Sequence, residues 1–310
     1  MSDPSVHEGP PPGGPGPADQ ATVRRTNLGL VLRLLRAAGP RSRARIAQDT
    51  GLNKATVSSL VAELITRGLV TEGELERDGA VGRPGLTVGL AGSGACGIGV
   101  ELAVDYLACS VLDLRGEVLF ERRMPHDVPA LGAERTLDEV AHLVDEAVAT
   151  VTAAGAAPVG LTVAVPGLVD SAGVVTLAPN IDWRDVAVAD GLRSRLVTVA
   201  PFPVRAENDA NLSAIAEWAM GSEAHTPDLV YLTGEVGVGG GVIVGGRLLR
   251  GASGFTGEVG HVPLGDPERL CGCGRRGCWE TTVGLAALLH DAADADDPVH
   301  DPERDLLAQQ

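Results

Sequence analysis

The chain has 310 residues, 44% of them hydrophobic but only 3% aromatic, and a formal net charge of −16. That length accommodates two or more domains, each with its own core. Five cysteines, an odd count, argue against a disulfide framework and for a cytoplasmic protein. No apolar run is long enough to span a bilayer, and the Pro- and Gly-rich start lacks the basic and apolar regions of a signal peptide.

Residues 1–20 cannot bury apolar surface and read as a disordered tail. Residues 21–70 then carry nine Arg or Lys against Asp49 and Glu63, so a small basic module precedes a large acidic body. Such asymmetry points to nucleic-acid contact by one end of the chain. Residues 27–38 predict a helix, with Leu28, Val31, Leu32 and Leu35 on one face and Gly39-Pro40 ending it. Ser42 can cap a second helix reaching Thr50. After the turn at Gly51-Leu52, Asn53 can cap a third helix reaching Thr66, with Val57, Leu60, Val61 and Leu64 inward.

Two short helices joined by a Gly-containing turn make a helix-turn-helix pattern. Residues 69–76 and 86–90 can pair beyond it as a hairpin, a wing with Arg83 near its tip. The third helix would enter the major groove by its first turns. Lys54, Ala55 and Ser59 would then face base edges, and Asn53, Thr56 and Ser58 would hold phosphates. Arg41, Arg43 and Arg45 would add backbone contacts, and Arg83 would reach a minor groove. Residues 21–92 therefore read as a winged helix-turn-helix domain for double-stranded DNA, and an ordinary three-helix bundle is the plain alternative.

From Gly97 the pattern changes to strands over 98–104, 107–113 and 118–123, a helix over 137–154 and a buried strand over 159–165. A hairpin follows Pro166-Gly167. A second set opens near Val204, with a helix over 211–220, a strand over 229–233 and the glycine run 237–241 before Val242. Strands followed by helices, twice over, suggest a two-lobed α/β domain over 93–310, with lobes of about 93–200 and 201–310 and a cleft between them.

Within the second set, Cys271, Cys273 and Cys278 lie in eight residues, with His261 ten residues upstream. Three thiolates and an imidazole are the ligands that a closed, structural Zn2+ prefers. Free thiols in a glycine-rich loop are the alternative. Glu258 and Glu280 flank these ligands and can bind something else.

The segments Pro166-Gly167-Leu168-Val169-Asp170, Pro179-Asn180, Glu207-Asn208-Asp209-Ala210-Asn211, Gly257-Glu258-Val259-Gly260-His261 and the Cys271–Glu280 block together resemble the ROK family. Its name joins repressors, open reading frames and sugar kinases, and its fold is actin-like and ribonuclease-H-like. With the N-terminal module the resemblance covers residues 25–284, and it implies a sugar-responsive transcriptional regulator, a repressor of carbohydrate-metabolism genes. Such a protein binds its operator as a dimer or higher oligomer.

The same resemblance implies that Asn208, Asp209, Glu258, His261 and Glu280 contact sugar hydroxyls, with Gly167 and Asn180 shaping the pocket. His261 would serve zinc through one ring nitrogen and the sugar through the other. Asn208-Asp209 can equally be a helix cap.

The alternative is a sugar kinase with Asp209 as base. The family's first phosphate loop, Asp-x-Gly-Gly-Thr, aligns here with Glu101-Leu102-Ala103-Val104-Asp105, which lacks both glycines and adds an acid. The second loop reads Glu235-Val236-Gly237. Both changes oppose triphosphate binding, so no catalytic residue is expected. Measured against the family, the second lobe reads as truncated.

Overall fold

A computed structural model describes residues 20–75, 85–197, 202–221, 226–234, 237–251 and 254–292. Residues 1–19 of the expected tail, Arg83 and the wing tip, Glu235-Val236 and the end of the chain after Ala292 lie outside them, whereas Gln20, expected in the tail, opens a helix. The chain divides into two compact units, Met1–Ala95 and Cys96–Gln310.

In the first unit, α1 (Gln20–Ala38) begins earlier than the apolar spacing implies, because its first turns are exposed and carry no inward pattern. Gly39, at φ +75, turns the chain into a short strand β1 (Arg41–Ser42). Ser42 caps α2 (Arg43–Thr50) by accepting from Arg45 N, and Asn53 caps α3 (Lys54–Thr66) by accepting from Thr56 N at 2.8 Å. Gly51, at φ +72, supplies the left-handed turn between them. Val57, Leu60, Val61 and Leu64 of α3 pack with Val31, Leu35 and Ile46 in one core. Strands β2 (Val70–Leu75) and β3 (Leu86–Leu90) pair antiparallel, and β1 joins the far side of β3 to give the order β1-β3-β2.

The second unit is built on a five-stranded sheet. Strands β4 (Ala95–Leu102), β5 (Tyr106–Asp113) and β6 (Val118–Pro125) form an antiparallel meander. Helix α4 (Val128–Ala153) follows, capped by Asp127 and broken at Gly132, which explains why helical spacing becomes regular only later. It buries Leu137, Val140, Ala141, Val144, Ala147 and Val151 at the i, i+3, i+4 spacing of a core-facing stripe. β7 (Ala157–Val165) returns to the sheet. The hairpin strands β8 (Leu168–Val169) and β9 (Val174–Ala178) pair with β10 (Trp183–Ala187) in a small second sheet. α5 (Val188–Arg195) precedes β11 (Val204–Asn208), which lies parallel to β7 and completes the order β11-β7-β4-β5-β6. The strand expected to open the second set of elements thus belongs to the first sheet. Parallel pairing of Leu161 with Val204, 43 residues on, leaves no local trace.

Next come α6 (Asp209–Met220), β12 (Leu229–Gly234), β13 (Val238–Val244) and β14 (Arg247–Leu248), the three strands forming an antiparallel sheet beneath the helix. The glycine run, expected to precede the strand at Val242, lies mostly within β13. A Cβ on Gly239 would stand 2.9 Å from Ala210 Cβ, and one on Gly241 would stand 2.5 Å from Ala214 Cβ. Glycine there lets α6 sit directly on the strand. Short helices α7 (Glu280–Val283) and α8 (Leu285–Ala292) close the described part. No described helix is long and apolar enough to cross a membrane.

Candidate functional site

The cysteine block folds around its glycines. Cys271 N donates to Arg275 O at 2.8 Å and Gly274 N to Cys271 O at 2.9 Å, with Gly274 at φ +84 completing the turn. Trp279 N donates to Val262 O at 2.9 Å and draws Cys278 alongside His261. The ligand atoms of His261, Cys271, Cys273 and Cys278 all lie within 4.8 Å of one another. Cys271 Sγ is 3.6 Å from His261 Nδ1 and Cys273 Sγ is 3.7 Å from Cys278 Sγ. A tetrahedral ion with zinc–sulfur bonds of about 2.3 Å separates its sulfurs by about 3.8 Å, so the donor set fits such an ion. Cys273 N–H also points at Cys271 Sγ (3.4 Å), the kind of donor that stabilises a bound thiolate.

Beside this cluster lies a cleft of about 680 Å³ lined by Gly167, Asn180, Asn208, Asp209, Glu258, His261 and Glu280, the full set of residues expected at a sugar pocket. Gly167 is required by crowding, since a Cβ there would stand 2.6 Å from both Ala178 Cβ and Leu177 O. Asn180 sits in the 3-10 turn Pro179–Ile181. Asn208 caps α6 by accepting from Asn211 N at 2.9 Å, and its Nδ2 donates to Gly167 O at 3.1 Å. The helix-cap reading of Asn208 is therefore met, within the cleft wall. Asp209, in the first turn of α6, accepts from Ala210 N at 2.8 Å.

His261 points Nδ1 toward Cys271 and toward Glu280 Oε1 (3.4 Å), while Nε2 lies 4.0 Å from Glu258. Cys271 Sγ is 2.8 Å from that same Glu280 oxygen. Burial pushes the Glu258 carboxyl above its ordinary range; His261 opposes this, and Asp209 and Glu280 reinforce it. Such crowding of carboxylates suits a polyhydroxylated ligand, whose O–H groups donate to them.

Glu101, Asp105 and Tyr106 line the same cleft, Tyr106 donating to Glu101 Oε1 at 2.8 Å. Sequence reasoning weighed Asp105 against phosphate but did not foresee Tyr106. It also passed over Glu207 and Arg250, whose side chains meet beside the cleft (Nη2 to Oε2, 2.7 Å). Glu207 stood within a quoted motif, whereas nothing near Arg250 in the sequence identifies its partner.

In the first unit, Asn53, Lys54, Ala55, Ser58 and Ser59 are exposed at the start of α3, and Thr56 is half-buried. Asn53 is engaged as the cap, Ser58 Oγ donates back to Lys54 O, and Ser59 Oγ accepts from Arg24. Arg41 donates to Asp49 at 2.8 Å, Arg45 lies 3.7 Å from that carboxylate, and Arg43 pairs with Glu72. These pairs are partly exposed and hence weak, so each guanidinium can exchange its carboxylate for a phosphate.

Residues 97–307 match the ROK family and residues 29–83 match the MarR family. The chain belongs to the ROK family. This ROK chain is 33% identical over 273 residues to a xylose repressor of Bacillus spizizenii, covering 88% of itself and 69% of that protein. It is 32% identical over 196 residues to a glucokinase of Streptomyces coelicolor, covering 63% of itself and 58% of the kinase. Among solved structures, a ROK family transcriptional regulator described as a homolog of the E. coli MLC protein superposes with a TM-score of 0.68. That match has 25% identity and covers 87% of this chain and 67% of the other. ROK members thus include both regulators and kinases. The winged helix-turn-helix in front of an actin-like domain makes this chain a transcriptional regulator.

Proposed function

We propose that this ROK protein is a sugar-responsive repressor of carbohydrate-metabolism genes, acting in the cytoplasm as a dimer or tetramer. The observation that carries the sensing role is the single cleft lined by Asn208, Asp209, Glu258, His261 and Glu280, on a chain that also bears a DNA-binding module. Gly167 and Asn180 complete the wall. A sugar hydroxyl bonded to a carboxylate gains about 1.5–3 kcal/mol, and an inverted hydroxyl strands a buried group, so this set selects stereochemistry. His261, Cys271, Cys273 and Cys278 hold a structural Zn2+, with His261 using Nδ1 for the metal and Nε2 for the ligand side. When bound, the ion crosslinks the loop without taking part in any reaction.

DNA is read by Lys54, Ala55 and Ser59 at base edges. Asn53, Thr56 and Ser58 hold phosphates, Arg41, Arg43 and Arg45 add backbone contacts, and Arg83 reaches a minor groove. Two modules of an oligomer address half-sites about 34 Å apart or multiples of that spacing. Phosphoryl transfer is disfavoured, because Ala103 and Val104 line the cleft where a triphosphate would need glycine backbone, with the acid Asp105 beside them. A coupled ADP-release assay with D-glucose, D-xylose and N-acetyl-D-glucosamine is expected to stay at background.

The reading is tested by selecting an operator from random DNA with purified protein, then titrating it with each of those sugars present. At least one sugar should shift the operator Kd by roughly 5–150-fold, the usual range of allosteric coupling. Identical binding across a wide sugar panel would sink the sensor. Asp209→Asn and Glu258→Gln should each weaken the effective sugar by about tenfold or more, measured by calorimetric titration.

A further inference from the structure

Between β14 and Glu258 the chain runs through a loop whose described glycines Gly251, Gly254 and Gly257 all have positive φ (+66, +88 and +103). Such a loop is entropically expensive to hold in one shape. It nevertheless delivers Glu258 to the cleft. Its backbone tethers near the start are Leu249 N to Val242 O (2.7 Å) and Thr256 N to Arg250 O (3.4 Å). Gly254 comes close to the β8–β9 hairpin, where a Cβ would stand 3.2 Å from Val169 O.

The loop's side-chain anchor is Arg250. Its Nε and Nη2 both donate to Glu207 Oε2, at 2.9 and 2.7 Å. Glu207, next to last in β11, has its side chain only 13% exposed. Its other oxygen accepts from Asn208 N and from Asn211 Nδ2, both at 3.2 Å. One carboxylate thereby grips three things: the backbone of Asn208, the first turn of the helix that carries Asp209, and the loop that carries Glu258.

We propose that Glu207 and Arg250 are positioning residues for ligand selection, a clasp that fixes the distance between the Asn208-Asp209 pair and Glu258. They do not touch the ligand. The clasp acts by holding two ligand-facing groups from distant parts of the chain in one register, which is what discrimination between hydroxyl configurations requires. This inference rests on the cleft being a sugar site.

The test compares wild type with Glu207→Gln, Arg250→Met, Arg250→Lys and, as a control within the cleft, Glu258→Gln. Zinc stoichiometry and melting temperature are checked first. Calorimetric titration with D-xylose, D-glucose and N-acetyl-D-glucosamine should show the effective sugar bound roughly tenfold more weakly by Glu207→Gln and Arg250→Met, as expected for loss of a charge-assisted pair. The preference between sugars should narrow as well. Arg250→Lys, which keeps the charge and a donor, should regain part of the lost affinity.

Hydrogen exchange in the absence of sugar should rise in peptides spanning 254–262 for Glu207→Gln and stay unchanged in peptides from β7. Unaltered exchange at 254–262 would overturn the clasp whatever the sugar data show. Undiminished affinity in Glu207→Gln alongside lost binding in Glu258→Gln would overturn the clasp while leaving the sensor intact. If no sugar binds wild type, the sensor reading fails and ligand selection by the clasp fails with it.

Discussion

Burial holds the thiol of Cys109 high, pushed up to about 12 with help from the nearby Glu146, and burial followed by the charge of Asp113 raises Cys96 in the same way. Both side chains are 1% exposed on neighbouring strands of the large sheet. They are packing residues, inert at neutral pH because the thiolate is the reactive form. In chelator the Cys271–Cys278 loop would lose its crosslink and open, so a thiol reagent should reach Cys271, Cys273 and Cys278 before global unfolding and Cys96 and Cys109 only after it. Rapid reaction of all five would contradict the assignment. Metal analysis of untreated protein should find one zinc per chain, reduced well below that in Cys273→Ser. The His261–Cys271–Cys273–Cys278 cluster was legible in the sequence because its spacing is local. The clasp at Glu207 was not, since a salt bridge between residues 43 apart leaves no pattern in the chain.

Among elements, the caps were readable for the same reason of locality: Ser42 and Asn53 each bond a backbone N–H three residues on. Replacing Asn53 by alanine should cost the winged-helix unit about 1 kcal/mol, read by denaturant unfolding. α1 is tied to α3 through Glu63, whose carboxylate lies below its usual range. The side-chain bond from Arg24 is the largest cause; burial opposes it and Arg67 adds to it. A depressed carboxylate contributes stability above its unfolded value, about 4.3, and loses it as pH falls through the lowered folded value. The melting-temperature advantage of wild type over Glu63→Gln should accordingly be full near neutrality and vanish in acid. A constant gap down to low pH would rule this tie out. For DNA, neutralising six phosphates predicts a log–log salt slope of about −5, and Lys54→Ala should lower affinity without steepening that slope.

For the molecule as a whole, the described residues form two separate hydrophobic cores, one around α3 and one around the five-stranded sheet with α4. Chelation should consequently lower only the melting transition of the larger unit in scanning calorimetry, leaving the winged-helix transition in place. An effective sugar at 100 times its Kd should raise that same larger-unit transition, a stabilisation of about 2.7 kcal/mol. The fold class was legible because motif order and alternating strand and helix patterns carry it. The membership of β11 in the first sheet and the use of Gly239 and Gly241 as a helix seat were not, since both depend on partners brought together only by folding.

That seat has a mechanical consequence. With Ala210 and Ala214 pressed against bare strand backbone, α6 has no side-chain cushion on which to slide, and Gly241→Ala should cost about 1–3 kcal/mol through overpacking. The helix and its sheet must move together. A force applied at Asp209 is therefore carried along the roughly 18 Å of α6 as the motion of a lever rather than absorbed as local give.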